Sequence, residues 1–112
     1  MKRNVSLGAF EQMVLLAALR LGDQAYAPGM ARELEACTGR EVSRGTLYAA
    51  LERLESKGYV EWSIEAATSK RSGSRSRRFE VTADGVAALT GMRGSLLGLW
   101  DGIEDLLTGE AR

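Results

Sequence analysis

Residues 69–78 read SKRSGSRSRR: five of the ten are Lys or Arg, none is acidic, and the others are Ser or Gly. Such a run suits one kind of chemistry. Guanidinium and ammonium groups on a pliant Ser/Gly backbone reach phosphate oxygens, and each neutralised phosphate releases a counterion. The bland alternative is a solvated loop that is basic for solubility. The rest of the chain makes the concentration informative, because 15 basic residues are balanced by 15 acidic ones overall. Residues 46–82 hold seven basic and five acidic side chains, and residues 83–112 hold two and five. Zero net charge spread evenly is a poor footprint for a polyanion, so only local concentration can attract phosphates.

Other chemistry finds little support. The chain has no histidine and a single cysteine, so the commonest general base, every Ser-His or Cys-His arrangement and a zinc ligand set are missing. No GxxxxGK[ST] or GxGxxG loop occurs. The expectation is a protein that is not an enzyme and uses no cofactor or metal. Cys37 can form no internal disulfide, which suits a reducing cytoplasm, and its place in a helical pattern predicts a small apolar filler on an inner face. The longest apolar run, residues 13–19, is too short to span a bilayer. The N-terminus lacks a signal-peptide pattern, so no membrane partner is expected. At 112 residues and 45% apolar composition, one small core is the limit.

Periodicity supplies the elements that must hold the basic run. A first helix is predicted over about residues 8–21, with Phe10, Met13, Val14, Ala17 and Leu21 on one stripe widened by Leu15, Leu16 and Leu19. A second begins near Pro28, points Met30, Leu34 and Cys37 inward and stops at Gly39. A third follows N-cap Ser43, with Leu47, Leu51 and Leu54 inward and Gly58 closing it. Residues 59–65 and 78–82 then alternate as two strands, with Phe79 and Val81 on one face. The basic loop joins them as a hairpin. A last helix starts at N-cap Thr82 and reaches towards Leu107, carrying Leu89, Met92, Leu96, Leu99, Trp100, Ile103 and Leu107 as one stripe. Gly91, Gly94, Gly98 and Gly102 on its other side leave two readings open: a smooth face for close helix–helix contact, or a frayed and kinked C-terminus.

The fold class that results is α+β, mainly α: a winged helix-turn-helix over residues 1–82, with its wing at about 66–77, and a C-terminal dimerisation helix over 83–112. In that order of elements the third helix can enter a major groove while the hairpin tip lies along the backbone. Outward Gly45 and Ala49 allow close approach. Ser43, Arg44, Thr46, Tyr48 and Arg53 are then candidates for DNA contact, with Lys70, Arg71, Arg75 and Arg77 from the wing. On the structural alternative, Arg53 pairs with Glu52 or Glu55 and Tyr48 is purely structural. Outward Glu52 fits phosphate binding badly.

The segment from Leu7 to Trp62 resembles the PadR family of bacterial transcriptional regulators. Leu7, Gly8, Glu11, Val14 and Leu15 match that family's first-helix pattern, and Ala25 and Tyr26 match its A-Y-G motif, with Ala27 in place of glycine. The third-helix signature is complete in Tyr48, Leu51, Arg53, Leu54, Glu55 and Gly58. After the wing, Gly73, Arg77, Phe79 and Thr82 stay in register, whereas Arg75 and Arg78 stand where the family tends to have proline and an aromatic residue. The resemblance covers about residues 7–90. It implies a homodimeric repressor of double-stranded DNA, with the C-terminal helix supplying the dimer contact through Leu89, Met92, Leu96, Leu99, Trp100, Ile103 and Leu107. In short members it further implies a small aromatic effector held between subunits with Trp100 taking part.

Two functions follow as expectations. The first is a sequence-specific DNA-binding transcriptional regulator, a homodimeric repressor on an inverted-repeat operator that a small-molecule inducer releases. The second is a winged-helix protein-interaction or small-ligand module with little DNA affinity, which the neutral net charge and Glu52 favour.

Overall fold

The computed structural model describes residues 7–66 and 75–108, with side chains for all of these but 65, 66, 75 and 108. Helix α1 (Ala9–Leu21) buries Val14, Leu15, Ala17 and Ala18, with Leu7 ahead of it. Met13, Leu16 and Leu19 are exposed instead of inward. The apolar stripe of α1 is wider than the face its neighbours cover. A 3-10 turn at Gly22–Gln24 leads into α2 (Ala27–Thr38), with Pro28 in its first turn, where a missing N–H costs nothing.

Met30 and Leu34 of α2 are buried, but Cys37 is not. The expected apolar filler is an exposed thiol on the last turn of α2, with Sγ 3.7 Å from Glu33 Oε2. Gly39, at φ 76°, takes the left-handed conformation that ends α2. Helix α3 (Arg44–Ser56) begins at Ser43, whose Oγ accepts the Thr46 N–H at 3.1 Å. Leu47, Ala50, Leu51 and Leu54 of α3 complete the core between α1 and α2.

Strands β1 (Val60–Ala66) and β2 (Arg75–Val81) pair antiparallel, from Val60 opposite Val81 out to Ala66 opposite Arg75. Alternation puts Val60, Trp62, Ile64, Arg77, Phe79 and Val81 on one face. At its root Val60 and Phe79 are buried, and further out Trp62 and Ile64 are exposed. A single bridge between Tyr26 and Arg78, and the Phe79 N–H donated to the Ala25 carbonyl at 2.9 Å, tie the hairpin to the α1–α2 connection.

Helix α4 (Ala83–Trp100) starts at Thr82, whose Oγ1 accepts the Gly85 N–H at 3.0 Å and donates to the Gly58 carbonyl at 2.7 Å. Leu89 is buried in the core. The helix passes Gly91, Gly94 and Gly98 intact and stops at Trp100. Gly102, at φ 85°, breaks the path to the five-residue α5 (Glu104–Thr108). The break expected on the kinked reading is thus confined to Gly102, and the glycines before it leave the helix continuous. The whole is a mainly helical winged helix-turn-helix with a small two-stranded sheet.

Candidate nucleic-acid interface

Helix α3 has three surroundings. Its core side, Leu47, Ala50, Leu51 and Leu54, is buried. Directly opposite, Gly45, Ala49, Glu52 and Ser56 are exposed, and a Cβ built on Gly45 meets no atom within 4 Å. The remaining flanks, about a quarter-turn to either side, are each held by a specific set of contacts.

One flank faces α1. Arg53 Nε donates to Glu11 Oε2 at 2.8 Å, and Lys57 Nζ donates to Glu11 Oε1 at 2.7 Å. The same carboxylate accepts the Gly8 N–H at 3.0 Å. Glu11 is 4% exposed and is the one buried charged residue among those described. Burial pushes its carboxyl up, but the hydrogen bonds from Lys57 and Arg53 outweigh that and hold it down at about 2. Arg53 is thus paired with neither Glu52 nor Glu55, the partners expected from proximity in the helix. Its Nε braces α3 to α1, while about half of its side chain (53%) stays exposed. Spacing within one helix cannot reveal a partner 42 positions away; the only clue is an acidic residue amid the apolar pattern of α1.

The other flank faces the wing. Trp62 Nε1 donates to Glu55 Oε1 at 3.1 Å. The Arg77 guanidinium lies over both the Trp62 ring, 4.7 Å from its centroid, and the half-buried Tyr48 ring, at 5.4 Å. β2, which carries the basic run into the hairpin, therefore docks beside the exposed face of α3. Trp62 and Glu11 had no role assigned from the sequence, and Glu55 was named only as a possible partner of Arg53; all three act here by fixing orientation.

The remaining candidates divide. Arg44 and Thr46 are exposed at the start of α3, and Ser43 Oγ donates to Thr46 Oγ1 at 2.9 Å while capping the helix. Arg75 begins β2. Lys70 and Arg71 lie outside the described residues. An α-helix with a bare outer face flanked by a cationic hairpin has the shape and charge to enter a major groove.

A family model of PadR-like transcriptional regulators matches residues 15–91. The chain belongs to the PadR family. Its structure is similar to a PadR family transcriptional regulator from Eggerthella lenta DSM 2243, 26% identical at a TM-score of 0.64, with 86% of this chain and 81% of that one covered. It is also similar to hsRosR-S1 in a complex structure, 29% identical at a TM-score of 0.67, covering 88% and 80%. A PadR family regulator from Clostridium difficile R20291, 20% identical at a TM-score of 0.69 with 88% and 99% covered, shares the fold. No curated protein sequence matches at a significant level. As a PadR protein, the chain is a DNA-binding transcriptional regulator, and no helix among its described residues is long and apolar enough to cross a membrane.

The residues expected to join two subunits fall into three groups. Leu89 is buried in its own protomer and Met92 is half-buried. Leu96, Leu99 and Trp100 are exposed on α4, Leu99 by 74%. Ile103 and Leu107 are exposed beyond the Gly102 break, so the stripe is not continuous on one helix. A groove of about 540 Å³ runs between α1 and α4, lined by Leu16, Leu19, Leu89, Leu96, Leu97 and Trp100 among others.

Proposed function

We propose that this PadR protein is a homodimeric repressor that binds an inverted-repeat operator, with residues 1–82 as the DNA-binding unit and 83–112 as the dimerisation segment. The bare face of α3 standing beside the cationic hairpin carries this proposal. Arg44 and Thr46 read base edges at the entrance of α3, Ser43 and Tyr48 contact the backbone, and Lys70, Arg71 and Arg75 bind flanking phosphates. Two-fold symmetry sets two copies of α3 in successive major grooves.

Dimerisation is supported by the apolar surface of α4. Leu96, Leu97, Leu99 and Trp100 are four exposed large apolar residues within five positions, beside a groove lined by exposed Leu16 and Leu19. Soluble monomers rarely leave so contiguous a patch uncovered. A second copy would cover it, and a planar aromatic effector would enter beside Trp100 at that seam and act as inducer.

Footprinting and gel-shift titration on the DNA upstream of the protein's own gene test the proposal. A protected inverted repeat, bound in preference to random duplex at physiological salt, is the expected result. Binding without sequence preference that is already lost on a modest rise in salt would instead support a protein-interaction or small-ligand module.

A further inference from the structure

Arg77 sits within the basic run, yet its guanidinium plane is spent on two rings. Trp62, on the paired strand, lies 4.7 Å away and Tyr48, on α3, lies 5.4 Å away, both inside the range where a cation is attracted to a ring face. Trp62 is held in turn by the hydrogen bond to Glu55, two helical turns from Tyr48 on the same flank of α3. Arg77 stands opposite Ile64 in the sheet, two pairs beyond the buried Phe79 and next to it on the same face. It therefore occupies the point where this face of the hairpin passes from the buried Phe79 to the exposed Ile64.

We propose that Arg77 is a positioning residue, a pin that fixes the angle of the wing to α3 through Trp62 and Tyr48, and not one of the phosphate-binding cations. A hairpin held in place before DNA arrives loses less freedom on binding. The planar guanidinium stacks on both rings at once, which a compact lysine ammonium does not reproduce. The effect on DNA rests on the proposed DNA-binding function; the pin itself exists in the free protein.

Two measurements separate these levels. In the DNA-free protein, a double-mutant cycle of Arg77→Ala and Trp62→Leu, read by urea unfolding, should show coupling of about two- to five-fold in the unfolding equilibrium constant. Additive effects would overturn the pin whatever the protein does with DNA. On operator duplex, Arg77→Ala and Arg77→Lys should weaken binding to a similar extent, by about two- to five-fold, and leave the slope of log affinity against log salt unchanged. A slope reduced by about 0.9 in Arg77→Ala, with both slope and affinity restored in Arg77→Lys, would make Arg77 a phosphate contact and overturn the proposal. Coupling in the free protein with no duplex bound by the wild type would uphold the pin and remove the DNA-binding function instead.

Discussion

Arg53 on α3 donates its Nε–H to Glu11 Oε2 on α1 at 2.8 Å, and Lys57 takes the other oxygen at 2.7 Å. A buried carboxylate with two cationic donors fixes α1 to α3. Because the folded carboxyl titrates at about 2, below its ordinary 4.5, its contribution is complete above about pH 4.5 and is lost as pH falls towards 2. The shift corresponds to no more than about 3 kcal/mol. Urea unfolding of wild type and Glu11→Gln between about pH 5 and pH 2.5 should give curves that converge in acid. Parallel curves would show that Glu11 contributes nothing through its charge.

Gly85 is the most closely packed glycine of α4. A Cβ there would overlap the Tyr59 carbonyl oxygen and lie 2.8 Å from Val81 Cγ1. Gly85→Ala should cost about 1–3 kcal/mol, since backbone and a packed strand must shift. At Gly91 a Cβ meets nothing within 4 Å, so Gly91→Ala should stabilise the helix by about 0.5–1 kcal/mol. Thermal unfolding of the two variants checks the opposite signs; equal shifts would mean α4 does not seat against Tyr59.

These cases mark what periodicity reveals. The helix starts and stops follow from local chemistry: Ser43 and Thr82 cap through their own oxygens, and Gly39 takes the left-handed turn. Such signals need no knowledge of the rest of the chain. Burial of α3 was equally plain, because Leu47, Leu51 and Leu54 share a side that two helices cover. Cys37 misled because it continues the spacing of Leu34 past the point where any described element covers α2. Arg53 misled because a long side chain can leave its own face for a partner on another helix. Trp62 and Arg77 meet only through the strand register, and that register depends on a pairing the linear pattern does not specify in detail.

Subunit association should depend on α4. Leu99 is 74% exposed in the protomer, so Leu99→Asp leaves the protomer's fold and core intact while placing a charge on the apolar patch. Sedimentation equilibrium should show a dimer for wild type and a monomer for Leu99→Asp at micromolar concentration. The operator affinity should fall with it, because two half-sites are then bound independently. A wild-type monomer, or an unaffected dimer in the variant, would place the interface elsewhere.

The two kinds of DNA contact proposed for this protein should separate by readout. Arg44 and Thr46, proposed to read base edges, stand exposed at the N-terminal end of α3. Arg44→Ala should cost about 1–3 kcal/mol on the operator and much less on random duplex. Lys70 and Arg71 belong to the basic run, for which phosphate neutralisation is the role proposed above. Replacing both with alanine should weaken operator and random duplex alike, and lower the salt slope by about 0.9 for each phosphate that is no longer neutralised. Fluorescence anisotropy titrations across a salt series give affinity and slope together. If Arg44→Ala weakens both duplexes equally, it anchors the helix and does not read sequence. If the alanine pair leaves the slope untouched, the basic run is solvated surface, and α3 must hold DNA without it.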